Sequence, residues 1–116
     1  SRRMDFIVWM DYTSRRPEKS FGLLDEETNC YIELPTEWEG NLKLTDSEQY
    51  DGAVELRTLD EDQLVMTVRL ARTTSSSKGW TRLGIVASRQ MQAKLGPDGT
   101  IEDPDYRLSR SLYRLN

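Results

Sequence analysis

Apolar and polar residues alternate along much of this chain, the period-two pattern of strands with one face buried. The pattern is clearest at 63–72, where Leu64, Met66, Val68 and Leu70 share one face and Thr67, Arg69 and Ala71 the other. Only Val65 breaks it. Residues 53–59 alternate in the same way, with Val54, Leu56 and Thr58 set against Glu55 and Arg57. Asp60-Glu61-Asp62 lies between the two runs, so they predict a hairpin about a tight acidic turn. Residues 41–46 form another alternating strand, with Leu42 and Leu44 on one face.

Other segments are strand-like in composition. Residues 5–12 are aromatic, β-branched and apolar at both parities: Phe6, Val8, Met10 and Tyr12 on one face, Ile7 and Trp9 on the other. Strands apolar on both faces are usually covered twice, so this pattern predicts a central strand. Residues 20–24 and 30–34 read as a second hairpin around the turn cluster Asp25-Glu26-Glu27-Thr28-Asn29. Polar segments at 13–19 (with Pro17), 47–52 and 73–79 read as loops. Pro35 closes a strand, and 36–40 is a short acidic connector carrying Trp38. Residues 80–87 return as a strand that 88–95 extends, although Ala93 and the glutamines also permit a short helix. Gly96-Pro97-Asp98-Gly99 is a turn, because Pro presets one dihedral and Gly tolerates positive φ.

The last segment carries two patterns. Asp103, Pro104 and Asp105 have the order of an N-cap, a first-turn proline and a first-turn acid. On a helical wheel Leu108, Leu112 and Leu115 lie opposite Arg107, Arg110 and Arg114. Tyr106, Leu108 and Leu112 also fit a strand. The helix is preferred over 104–115 because it separates Leu from Arg. In total, seven or eight short strands at roughly ten-residue spacing predict a mainly β fold. The expected form is an antiparallel meander, as a barrel or a sandwich, with a short C-terminal helix. The 116 residues fit one domain spanning 1–116.

Composition narrows the chemistry. The chain has no histidine and one cysteine, Cys30. That excludes Ser-His-Asp and Cys-His catalysis, HExxH metal sites and multi-cysteine zinc sites. The acids beside Cys30 would raise its thiol pKa rather than activate it, so it reads as structural. The carboxylates at Glu37, Glu39 and Asp60 to Asp62 fall in turns and match no calcium loop. The turn 96–99 lacks the Lys-Ser/Thr of a phosphate loop. The domain is therefore read as non-enzymatic, leaving open only chemistry by carboxylate or tyrosine. No catalytic residue, cofactor or metal is expected.

Net charge is −4, which disfavours nucleic acid and anionic membranes. The charge is unevenly divided. Residues 1–60 carry 7 Lys/Arg and 14 Asp/Glu, while 61–116 carry 9 and 6. Acidic and basic strands neutralising each other across a sheet is the expected arrangement; a basic patch built from the second half is the alternative. No run approaches the length of a membrane helix. With one cysteine and no visible signal peptide, the expectation is a cytoplasmic compartment.

Trp9 and Trp80 sit in strands and are expected in the core, whereas Trp38 lies in a connector and is a candidate interface anchor. Arg107, Arg110 and Arg114 are candidates for docking an acidic partner or nucleic acid. The leading expectation is an interaction or assembly domain that presents a sheet face or edge to a protein. The alternatives are a small-molecule-binding β-barrel and, third, an RNA or single-strand binder.

Overall fold

A computed structural model describes residues 3–13 and 15–115; Ser1, Arg2, Asn116 and Ser14 of the predicted 13–19 loop lie outside the described residues. Two antiparallel sheets pack face to face. The first contains β1 (Met4–Asp11), β2 (Glu18–Asp25), β3 (Cys30–Leu34) and β9 (Leu112–Arg114), in that order. The second contains β4 (Leu42–Asp46), β5 (Val54–Thr58), β6 (Leu64–Arg72), β8 (Arg89–Leu95) and β7 (Thr81–Val86), in that order. A 3-10 turn at Thr36–Trp38 carries the chain from the first sheet to the second. A helix, α1 (Pro104–Ser109), returns it. Of the two expected β architectures, the sandwich forms and the closed barrel does not.

Both predicted hairpins are present. Asp25 pairs with Cys30 at the end of β2–β3, and Asn29 takes a positive φ of 54° in its turn. In β5–β6, Asp62 takes a φ of 56°. Asp and Asn tolerate this left-handed region better than other side chains. The alternating residues then meet between the sheets. Leu23 and Ile32 from the first sheet, and Leu56, Met66, Val68 and Met91 from the second, are fully buried in one core. Side chains therefore fill the space between the layers.

Three expectations are corrected. β1 is an edge strand, paired only with β2, not a central one. Residues 88–95 do not extend the preceding strand. The chain reverses at Ala87-Ser88, where φ is 52° and 64°, and β8 inserts between β7 and β6. This two-residue turn needs positive φ at both positions, and the sequence has neither the Asn nor the Gly that usually marks it. Residues 104–115 are neither all helix nor all strand. Asp103 sits at the N-cap and Pro104 in the first turn, as expected, but the helix ends at Ser109. Arg110 leaves it with φ −113°, and the Ser111 hydroxyl donates to the Leu108 carbonyl at 2.7 Å. Chain and register then favour pairing with β3, Leu112 lying opposite Ile32.

Charge follows the expectation in part. Among the described residues the ion pairs Lys19–Glu39, Arg57–Glu55 and Arg3–Glu26 lie within residues 1–60, and Lys43–Asp62 joins the two halves.

Candidate interaction surfaces

The outer face of the first sheet carries a second apolar cluster, built on a glycine. Gly22 lies mid-strand in β2, and a Cβ there would come within 2.6 Å of the Tyr31 ring and 2.3 Å of the Ile32 carbonyl oxygen. The missing side chain lets the Tyr31 ring lie across the sheet surface. Trp9 covers that ring with centroids 4.0 Å apart, and Tyr113 flanks it at 6.3 Å. Tyr31 is fully buried although it points away from the main core. Its hydroxyl donates to Ser20 Oγ at 3.4 Å, and Ser20 Oγ donates to Glu33 at 3.1 Å. Burial holds the Tyr31 phenol above its ordinary pKa, outweighing the Ser20 bond that lowers it. Beside the cluster runs a groove of about 420 Å³ lined by Trp9, Glu18, Tyr31, Glu33 and Tyr113.

The rim of this face is the outer edge of β1. Val8, Trp9, Met10 and the following Tyr12 are all exposed there. The amide of Glu26 donates to the Arg3 carbonyl at 3.0 Å, immediately beyond the Met4–Asp25 pair. In an antiparallel ladder alternate residues bond to one neighbour. Odd-numbered residues of β1 therefore bond β2, and Met4, Phe6, Val8 and Met10 point their N–H and C=O outward. No strand lies beside them among the described residues. The Asp11 carboxyl, at the end of the strand, accepts from the Thr13 amide at 2.9 Å and from its hydroxyl at 2.7 Å. Those two bonds, the backbone one first, hold its pKa below the usual carboxylate range.

The outer face of the second sheet has a different character. The register places Lys43, Arg57, Arg69, Lys94 and Arg82 on it, with Glu55 as the only carboxylate at a strand position. Arg57 is paired with Glu55 at 2.8 Å and Lys43 with Asp62 at 3.1 Å. Arg69 and Lys94 instead lie against aromatic rings. The Arg69 guanidinium is 3.9 Å from the Trp80 ring centre, and Lys94 donates to the Tyr50 hydroxyl at 3.1 Å. Tyr50 meets Trp80 edge-on at 5.0 Å. Arg69 Nε also donates to the buried Gln92 at 2.8 Å, which fixes its plane. The expected alternative, a basic patch, is found here, assembled largely from second-half strands.

The candidate residues read from the sequence are not brought together. Trp38 is half-buried against the main core. Arg107 is exposed on α1, and Arg110 covers the Tyr106 ring at 3.8 Å. Arg114 stands on β9, not on the helix, and donates to the Ile85 carbonyl of β7. Trp9 and Trp80, expected in the core, both lie on outer faces. Cys30 is buried, with its thiol donating to the Thr28 carbonyl. Among the described residues no group of three Cys, Asp or Glu is placed to hold a metal ion. No described helix is long and apolar enough to cross a membrane.

The aromatic cluster had one sequence signal, a glycine inside an otherwise apolar strand. The Arg69–Trp80 pair had none, because β6 and the 80s become neighbours only through β8. Comparison of the chain with known protein families, with characterised proteins and with solved structures found no match.

Proposed function

We propose that this chain is an interaction domain that docks a protein partner by strand addition along β1. The observation that carries this reading is the contrast between β1 and the other three sheet edges. Sheet edges template pairing with other chains and are normally blunted by brevity, charge, bulges or cover. β9 is only three residues long. β7 is broken by a register shift between Arg82 and Gly84, and α1 packs on it through the Thr81–Asp105 bond of 2.9 Å. β4 is five residues long and carries Lys43 and Asp46. β1 pairs in unbroken register over eight residues and carries no proline, lysine or bulge. Its exposed side chains are the apolar Val8, Trp9 and Met10, with Asp5 and Asp11 towards its ends; strand addition supplies backbone hydrogen bonds while side-chain pockets supply specificity. The aromatic groove lies beside this edge.

The test uses a photo-crosslinking residue at position 8, with Leu59 (exposed in the β5–β6 turn) as the control site. An identified protein, or a second copy, should crosslink at position 8 and not at 59. Met10→Pro, in a chain that keeps the crosslinking residue at position 8, should abolish it. That substitution removes an outward N–H and leaves the β1–β2 ladder intact, a position where edge strands tolerate proline. Equal crosslinking at both sites overturns the reading.

A second reading, a single-stranded nucleic-acid platform, is favoured by the outer face of the second sheet. Arg69 and Lys94, set against the rings of Trp80 and Tyr50 rather than against carboxylates, are the kind of elements that track a phosphate backbone and stack bases. This reading predicts binding of a labelled single-stranded RNA that weakens steeply with salt. Arg69→Ala and Lys94→Ala should each reduce the salt slope by about 1. Absence of binding at low salt removes this reading.

A further inference from the structure

We infer that the occupant of the β1 edge is a second copy of this chain, paired antiparallel across a two-fold axis at Ile7. The inference rests on the strand-addition reading above and names its partner. A two-fold interface uses the same patch on both copies. Residues directly opposed across an antiparallel pair point to the same side of the sheet, so their two numbers must sum to an even value. Only a few such registers keep most of β1 paired.

With the axis at Ile7, Phe6 faces Val8 of the second copy and Met4 faces Met10. These are the residues whose backbone groups point outward, so about eight inter-chain hydrogen bonds form. Apolar side chains of the inner face then meet apolar side chains. On the outer face Ile7 meets its own copy, and Trp9 lies one position away, beside Asp5. At each end Arg3 stands opposite Asp11, an attractive cross-strand pair. Within one copy, among the described residues, Arg3 reaches Glu26 at 4.0 Å.

The neighbouring registers are poorer. An axis at Val8 sets Asp5 against Asp11, like charges directly opposed, twice by symmetry. An axis at Phe6 leaves Met10 and Asp11 outside the β1–β1 pair, so Arg3 has no acid opposite it. Charge therefore selects among registers that the apolar pattern alone permits.

The experiment is sedimentation of the whole chain between about 1 and 100 µM, a range that spans the affinities of small interfaces. The wild type should show a concentration-dependent dimer, and Val8→Pro should be monomeric, with the melting curve of the wild type at concentrations where the wild type is itself monomeric. Arg3→Asp alone places two acids together and should weaken the dimer at least tenfold. Asp11→Arg alone places two arginines together and should do the same. The double swap, Arg3→Asp with Asp11→Arg, should restore it. If Asp11→Arg strengthens the dimer instead, the axis lies at Val8 and the stated register is wrong. A wild type that stays monomeric throughout overturns the inference. Crosslinking of another protein at position 8 would then leave the strand-addition reading standing, and crosslinking of none would end both.

Discussion

At the residue scale, the outer aromatic cluster depends on an absence. Gly22→Ala places a methyl against the Ile32 carbonyl and under the Tyr31 ring, both closer than real contacts allow. Because one of those neighbours is backbone, the strands must separate. Urea denaturation should show a loss of about 1–3 kcal/mol, the usual cost of overpacking. Gly84→Ala makes a contrasting control. Its methyl would meet only the Leu112 side-chain end, at 2.7 Å, which can rotate away, so its cost should be the smaller of the two. Tyr31 gives a pH prediction at the same scale. Its phenol is neutral in the fold and its folded pKa lies above the ordinary value of about 10. The stability this confers is fully present below pH 10 and falls as pH rises through the folded value. An ultraviolet titration should find one of the five tyrosines ionising later than the rest; simultaneous titration of all five would contradict the burial of Tyr31.

The β7–β8 connection shows how an element can be missed when its turn lacks the usual residues. Ala87 and Ser88 both occupy left-handed backbone that neither favours. Replacing them together by Asn and Gly should stabilise the protein by about 0.5–2 kcal/mol, read as a higher melting temperature with the β7–β8 register unchanged. A lower melting temperature would show that this turn is not of the mirror-image type. The acidic turn of β5–β6 and the cluster at 25–29 were legible for the opposite reason, since their Asp and Asn residues belong to turns. The C-terminal segment was legible only in part. Its cap order marks where the helix starts, but its end is set by Ser111 and by the pull of β3. Neither is local to the helical pattern.

Across the whole molecule one core joins both sheets, so the layers should unfold together. In urea, a Trp80→Phe variant leaves Trp9 and Trp38 as reporters, and their transition should coincide with that of far-ultraviolet circular dichroism. Leu56→Ala, made in the second sheet, should cost about 2–5 kcal/mol. It should shift the transition seen by Trp9 in the first sheet equally. Separate transitions would mean that the sheets are stabilised independently. Local pattern was enough for the approximate limits of the first seven strands, two hairpins, the turn at 96–99 and the β class, though not for the separate β8 and β9, because alternation, turn residues and proline act over a few neighbouring positions. Composition also determined the absence of histidine chemistry. Only the tertiary structure decided that β1 is an edge, that its Trp9 covers Tyr31, and that Arg69 meets Trp80. Alternation fixes which face a side chain occupies but not which strand lies beside it. That choice is made by long-range pairing, through the insertion of β8 between β6 and β7 and the return of β9 to the first sheet.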